Sequence, residues 1–201
     1  MKRVAITQLL LDNELKRCFY SDLDQGAIAI IPTDTLYGFA VAAHLPAAVA
    51  RLYAIKNRDA RKPLILFLNK LEQLEQNGFE LKPELLQVLQ KYWPGALTAI
   101  LQKPEHQQLC AFTFAKIGVR IPAHEQLLQL LNAYQNKLLT TSANRSGEPS
   151  DCGPDKLADG FSSEVDWLID GGVLKPSLPS TVADFTLSPP LVLRQGGLKL
   201  V

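Results

Sequence analysis

Apolar positions along this chain recur in two rhythms, and the switches between them divide it into elements. Residues Leu9 to Leu23 repeat at helical spacing and give way to Asp24-Gln25-Gly26, which predicts an amphipathic helix closed by a turn. Ala27 to Ile31 is a continuous apolar run ended by Pro32, the pattern of a strand buried on both faces. Pro46 to Lys56 returns to helical spacing through Val49, Leu52 and Tyr53, and Pro63 to Leu68 is a second buried strand. Helices are expected at Leu71 to Gln76, at Pro83 to Tyr92 before Trp93-Pro94-Gly95, and at Glu125 to Tyr134 after Pro122. Further strands are expected at Ala96 to Gln102, Ile117 to Ile121, Lys137 to Thr141, Val165 to Ile169, Thr181 to Phe185 and Leu191 to Arg194. Residues 145–160, dense in Gly, Pro, Ser and Asp, read as a mobile surface loop.

Strands alternate with helices in the first part and follow one another without helices at the end. That order predicts an α/β (α+β) protein built on a twisted mixed sheet flanked by helices. Neither a repeat nor a low-complexity linker interrupts the 201 residues, so residues 1–201 are read as one domain.

Composition narrows the class. Hydrophobic residues make up 47% and charged residues 20%, which suits a folded domain rather than a disordered chain. Apolar runs fall well short of the roughly 20 residues that span a bilayer, and the pieces after Met1-Lys2-Arg3 are too broken for a signal peptide. Cys18, Cys110 and Cys152 are scattered and odd in number, which argues against a disulfide framework or zinc site and for a reducing cytoplasm. His44, His106 and His124 are equally dispersed and read as surface or packing residues.

Charge adds one local anomaly. The net charge is +1, from 21 basic and 20 acidic residues, yet Arg51 to Lys62 holds five cations against one acid. Such a run is commonly a solvated face, and cations at a helix end are favoured by the macrodipole alone. A polyanionic ligand such as a nucleoside triphosphate is the alternative. Polar clusters also flank the strands. Thr33-Asp34-Thr35 follows the first, Lys56, Arg58, Arg61 and Lys62 precede the next, Ser142-Ala143-Asn144 follows Leu138 to Thr141, and Ser180-Thr181 and Arg194 flank the last two. Singly each is an ordinary cap or turn; together, at strand ends, they are the materials of a phosphate-binding cleft.

In order, the chain carries Pro-Thr-Asp-Thr-Leu-Tyr-Gly at 32–38, Lys-x-Arg at 56–58 before Lys-Pro-Leu, and Tyr-Trp-Pro-Gly-Ala-Leu-Thr at 92–98. Val-Arg-Ile-Pro, Thr-Ser-Ala-Asn-x-Ser-Gly, Pro-Ser-Thr-Val and Leu-Arg-x-Gly follow. This series, from about Gly26 to Gly197, resembles the YrdC/TsaC family of threonylcarbamoyl-AMP synthases. The resemblance implies a YrdC/RibB-like fold with a basic cleft, in the short single-domain form. It implies condensation of L-threonine, bicarbonate and ATP into threonylcarbamoyl-AMP and pyrophosphate, for N6-threonylcarbamoyladenosine in tRNA. It further implies a TsaD-type transferase complex downstream, possible tRNA contact and magnesium accompanying ATP, although no carboxylate cluster reads as a metal cage.

Carried onto this sequence, the resemblance makes Lys56 and Arg58 the catalytic cations for bicarbonate and ATP phosphates. Arg61, Lys62, Ser142, Asn144 and Arg194 become nucleotide-binding residues. Arg120 would grip the threonine carboxylate, with Thr33 and Thr181 completing that pocket. Tyr37, Trp93 and the run from Leu64 to Leu68 are read as core, and the roles of Asp34 and Thr35 are open. Phe67 stands where some relatives place a threonine-contacting histidine. The competing readings are a YciO-like paralogue with a different or weaker reaction, and an RNA-binding module, against which the near-neutral net charge argues.

Overall fold

The computed structural model describes residues 1–59, 62–104, 114–150 and 153–201. Within these, a ten-stranded mixed sheet runs in the order β1-β8-β2-β3-β7-β4-β6-β5-β9-β10. The strands are β1 (Lys2–Ala5), β2 (Ala29–Ile31), β3 (Gly38–Ala42), β4 (Ile65–Phe67), β5 (Leu97–Gln102), β6 (Lys116–Arg120), β7 (Leu138–Ser142), β8 (Trp167–Asp170), β9 (Thr181–Asp184) and β10 (Leu191–Arg194). The helices are α1 (Ile6–Leu11), α2 (Asn13–Asp24), α3 (Pro46–Lys56), α4 (Glu72–Gln76), α5 (Pro83–Tyr92), α6 (Glu125–Ala133) and α7 (Pro154–Phe161). The expected mixed sheet flanked by helices is therefore the architecture.

Strand alternation distributes side chains to two cores. Ile28, Ile30, Phe39, Val41 and Leu66 join Val49 and Leu52 of α3, Leu89 of α5, and Leu157 and Phe161 of α7 on one face. Ala29, Ile31, Ala40 and Phe67 join Leu9 of α1, Phe19 and Leu23 of α2, and Leu127 and Leu130 of α6 on the other. A period of two in the strands is what feeds both faces, so neither can be stripped without exposing a layer of the sheet.

Two local expectations are corrected, and two strands that the apolar pattern does not predict, β1 and β3, are added. The helix from Leu9 to Leu23 is two helices, because the Asp12 carboxylate accepts from the backbone N–H groups of Glu14 and Leu15 at 3.0 and 2.9 Å and restarts the chain as an N-cap. The 145–160 stretch contains α7, which opens with Pro154 in its first turn and buries Leu157 and Phe161, four residues apart, in the core. The Gly and Pro density that suggested a loop is the punctuation before this helix. Strand β3 escaped notice because Gly38, Ala40 and Ala42 carry little strand propensity, yet all five of its residues are buried between β2 and β7. Strand β1 pairs in parallel with β8 at the opposite end of the sheet from β10.

Candidate functional site

The register of the central strands builds a cavity. Ile65 of β4 lies beside Gly118 of β6 and Thr140 of β7, Phe67 beside Arg120, Ile100 of β5 beside Gly118, and Thr98 beside Val182 of β9. Gly38 of β3 lies beside Ser142. All of these residues line a cavity of about 260 Å³, on the sheet face whose other strand residues pack under α1, α2 and α6. The alternate positions, Leu66, Leu97, Ala99, Leu101, Ile117, Val119 and Leu139, belong to the opposite core. In these central strands one parity is given to the core, and the other to the cavity and to the second core beside it. That parity was legible: Thr98, Gly118, Arg120, Thr140 and Ser142 interrupt apolar strands at alternate places.

Arg58, Arg120 and Arg194 line the cavity together with Thr33, Thr35, Thr98, Thr140, Thr141, Ser142 and Ser180, and no carboxylate appears among the described lining residues. Arg58 stands just beyond α3, after Asn57 ends the helix in a left-handed conformation (φ 49°). Its Nε donates to the Lys62 carbonyl and its Nη2 to the Pro63 carbonyl, both at 3.1 Å. Arg194 donates from Nη2 to the Ser180 carbonyl at 2.9 Å. Its pKa is lowered by burial first and then by the like charges of Arg120 and Arg58, the signature of guanidiniums sharing one space.

Arg120 is only 4% exposed and is fixed by three donated bonds: Nε to the Gly95 carbonyl at 2.9 Å, Nη1 to Thr35 Oγ1 at 3.0 Å and Nη2 to Asp34 Oδ1 at 2.7 Å. Burial lowers its pKa, and the Asp34 carboxylate, itself 12% exposed, works in the opposite direction. Asp34 and Thr35, whose roles the sequence left open, are the residues that hold this guanidinium. Thr33 holds them in turn: its Oγ1 accepts from the N–H groups of Thr35 and Leu36 and donates to the Leu36 carbonyl at 2.6 Å, closing a tight turn after β2.

Other sequence-derived residues are placed away from the cavity surface. Lys56 is 3% exposed, and its ammonium donates to the Ser142 carbonyl (2.6 Å) and Oγ (3.2 Å) and to the Asn144 carbonyl (2.9 Å) and Oδ1 (2.8 Å). Burial, and secondarily the like charge of Arg58, pull its pKa down to about 8. Neither it nor Asn144 is among the lining residues; Lys56 ties the end of β7 to α3, and Ser142 alone of that loop's polar side chains meets the cavity. Thr181 is fully buried, its hydroxyl accepting from Gly196 N–H at 2.9 Å and donating to the Leu198 carbonyl, which anchors the segment after β10. Lys62 is exposed and outside the lining, and Arg61 lies outside the described residues.

Tyr37 and Trp93 are core residues, and Tyr37 is also among the residues that line the cavity. Phe67 lines the cavity too. His124 caps α6, its Nδ1 accepting from the Leu127 N–H at 3.2 Å, while His106, Cys110 and Cys152 lie outside the described residues. Among the described residues no three His, Cys, Asp or Glu side chains converge, and no helix is long and apolar enough to cross a membrane.

Comparison with known proteins is consistent with this geometry. The threonylcarbamoyl-AMP synthase of Pyrococcus abyssi is 36% identical over 177 residues, covering 88% of this chain and 52% of the relative. The human threonylcarbamoyl-AMP synthase is 32% identical over 182 residues, covering 87% and 64%. The chain therefore spans about half to two thirds of the length of these relatives. The crystal structure of Pyrococcus abyssi Sua5 complexed with L-threonine superposes with a TM-score of 0.85 at 34% identity, over 94% of this chain and 56% of that one. Escherichia coli YciO shares the fold, with a TM-score of 0.82 at 24% identity over 92% and 90%. The Sua5/YciO/YrdC family pattern, described as "Telomere recombination", matches residues 21–196, and the chain belongs to that family.

Proposed function

We propose that this chain is a threonylcarbamoyl-AMP synthase that condenses L-threonine, bicarbonate and ATP. The observation that carries the reading is the cavity's charge: three guanidiniums and a set of hydroxyls, with no carboxylate among the described lining residues. Such a lining selects anions, and every reactant here is one or carries one. In the first step the threonine amine forms an N–C bond to the bicarbonate carbon and water is lost. In the second, a carbamate oxygen bonds to the α-phosphorus as pyrophosphate leaves. Both steps concentrate negative charge, so fixed cations and dipoles supply the stabilisation.

Arg58 and Arg194 then take the phosphates and bicarbonate, and Arg120 takes the threonine carboxylate beside Thr33 and Thr35. Lys56 serves from behind the wall by holding Ser142 and the backbone of Asn144 in place. Magnesium arrives with the triphosphate, since the described lining offers no acidic cage for it. The cavity volume of about 260 Å³ falls just below the range of ligand cavities, about 300–1,000 Å³, so it suits threonine and phosphate groups, with the adenosine toward the open side. The setting is cytoplasmic, with the product passed to a TsaD-type transferase acting on tRNA.

A pyrophosphate-release assay tests this directly. Release should require ATP, threonine and bicarbonate together. Equal release with threonine omitted, or none with all three, would sink the synthase reading and favour a YciO-like activity.

A further inference from the structure

A hydroxyl chain crosses the cavity floor at residues with no role in the reading above. Thr98 is 1% exposed in β5 and Ser180 is 3% exposed just before β9. Their hydroxyl oxygens are 2.9 Å apart. Ser180 also faces Arg194, whose Nη2 is 2.9 Å from the Ser180 carbonyl and 3.4 Å from its Oγ. A guanidinium can only donate. With one Ser180 lone pair turned toward Arg194, the Ser180 hydrogen is free to point at Thr98, and the 2.9 Å contact allows Thr98 to be the acceptor; the relay takes this direction. The hydrogen of Thr98 is then left to a third group, and among the described residues its hydroxyl has no partner but Ser180.

The orientation of Thr98 is set from its other side. A Cβ added at Gly118 would meet the Thr98 methyl at 3.2 Å, so the methyl lies close over this glycine. Thr98 is β-branched and stiff about χ1, and seating its methyl there fixes where the hydroxyl goes. Thr98, Gly118, Ser180 and Arg194 all line the cavity.

We propose that Arg194, Ser180 and Thr98 form a directed relay that presents the Thr98 O–H as a donor to an anionic oxygen of the ligand. The inference rests on the synthase reading for its ligands. Each bond in the chain polarises the next, so the terminal donor is stronger than an isolated threonine. The anionic oxygen belongs either to a carboxylate or to a phosphate, and separate ligand titrations distinguish them.

The test is calorimetric titration of L-threonine, ATP and inorganic pyrophosphate, each alone, into wild type, Thr98→Val, Thr98→Ser and Ser180→Ala. Valine keeps the branched shape and removes only the donor. Thr98→Val should weaken one ligand class about ten- to hundredfold, the loss of a hydrogen bond to a charged group. A loss confined to threonine assigns the carboxylate; a loss confined to ATP, with or without pyrophosphate, assigns the phosphate. Thr98→Ser should stay within about threefold of wild type, and Ser180→Ala should weaken the same ligand as Thr98→Val. Should Thr98→Val not fold, the Ser180→Ala and Thr98→Ser pair carries the same comparison. Unchanged affinities throughout, or equal weakening of threonine and ATP, would overturn the relay. Failure of unaltered protein to bind any of the three would sink the synthase reading with it, a distinct result.

Discussion

Lys56 and Arg58 leave the end of α3 two residues apart and meet different surroundings. The Lys56 ammonium is spent on four oxygens of residues 142 and 144, whereas Arg58 lines the cavity with Arg120 and Arg194. One corner is a buried knot that fastens β7 to α3; the other is a wall of cations lining the cavity. The contrast teaches that closeness to a basic run does not say which cation does chemistry. A buried ammonium ringed by carbonyls is committed to the fold, while a guanidinium tethered through part of its fork can still offer donors to a ligand.

The comparison breaks most visibly at Arg120, which belongs to both corners in character: buried like Lys56, yet lining the cavity like Arg58. Arg120→Ala should cost about 3–5 kcal/mol of stability, because it strands Asp34 beside an emptied site. In whatever fraction folds, threonine affinity should fall roughly 30- to 1,000-fold with ATP affinity nearly unchanged. Arg120→Lys should restore only part of either. Denaturant titration and separate ligand titrations measure the two effects, and equal loss of both ligands would show that Arg120 shapes the whole cavity.

Lys56→Met comes next. Removing the ammonium leaves several buried oxygens without a donor, so a stability loss on the order of 3 kcal/mol is expected. The pH dependence sharpens it. The folded pKa of about 8 lies below the ordinary 10.5, so the native chain holds fewer protons than the unfolded chain between those values. Stability contributed at this position therefore rises with pH from about 8 to about 10.5. The wild-type minus Lys56→Met difference in denaturation free energy should climb across that window, and a flat difference would contradict the depressed value.

Arg194→Ala should behave in the opposite manner, lowering turnover about 10²-fold, as loss of an electrostatic donor does, while the melting temperature shifts by only a few degrees. A large stability loss without a turnover effect would move Arg194 out of the chemistry. The smallest effect belongs to the pair Arg145–Glu164, whose side chains are about one third exposed. Glu164→Gln should cost less than about 1 kcal/mol in a thermal melt and leave turnover unchanged.

Much of the fold could be read from periodicity. The helix ending at Lys56, the strands before the Thr33 and Ser142 turns, and the mixed character of the sheet follow from apolar spacing and punctuation. Arg58, Arg120, Ser142 and Arg194 were likewise legible as candidate ligand groups, because cations and hydroxyls stood at strand ends in a familiar order. Thr181 and Lys56 carried the same signals and are occupied internally, since a hydroxyl or ammonium beside a turn satisfies backbone groups as readily as it meets a ligand.

What the sequence determined by itself was parity and punctuation: which residues share a strand face, where helices begin, and where charge accumulates. Local rules are enough for this, because they depend on neighbours a few residues away. Only the tertiary structure decided that Thr98, Gly118, Thr140 and Arg120, drawn from three strands, converge on one cavity floor, that Asp34 holds Arg120, and that Lys56 closes on residues nearly ninety positions later. Those choices are set by strand order and register across the sheet, and by the need to pair each buried charge, conditions that no short window of sequence contains.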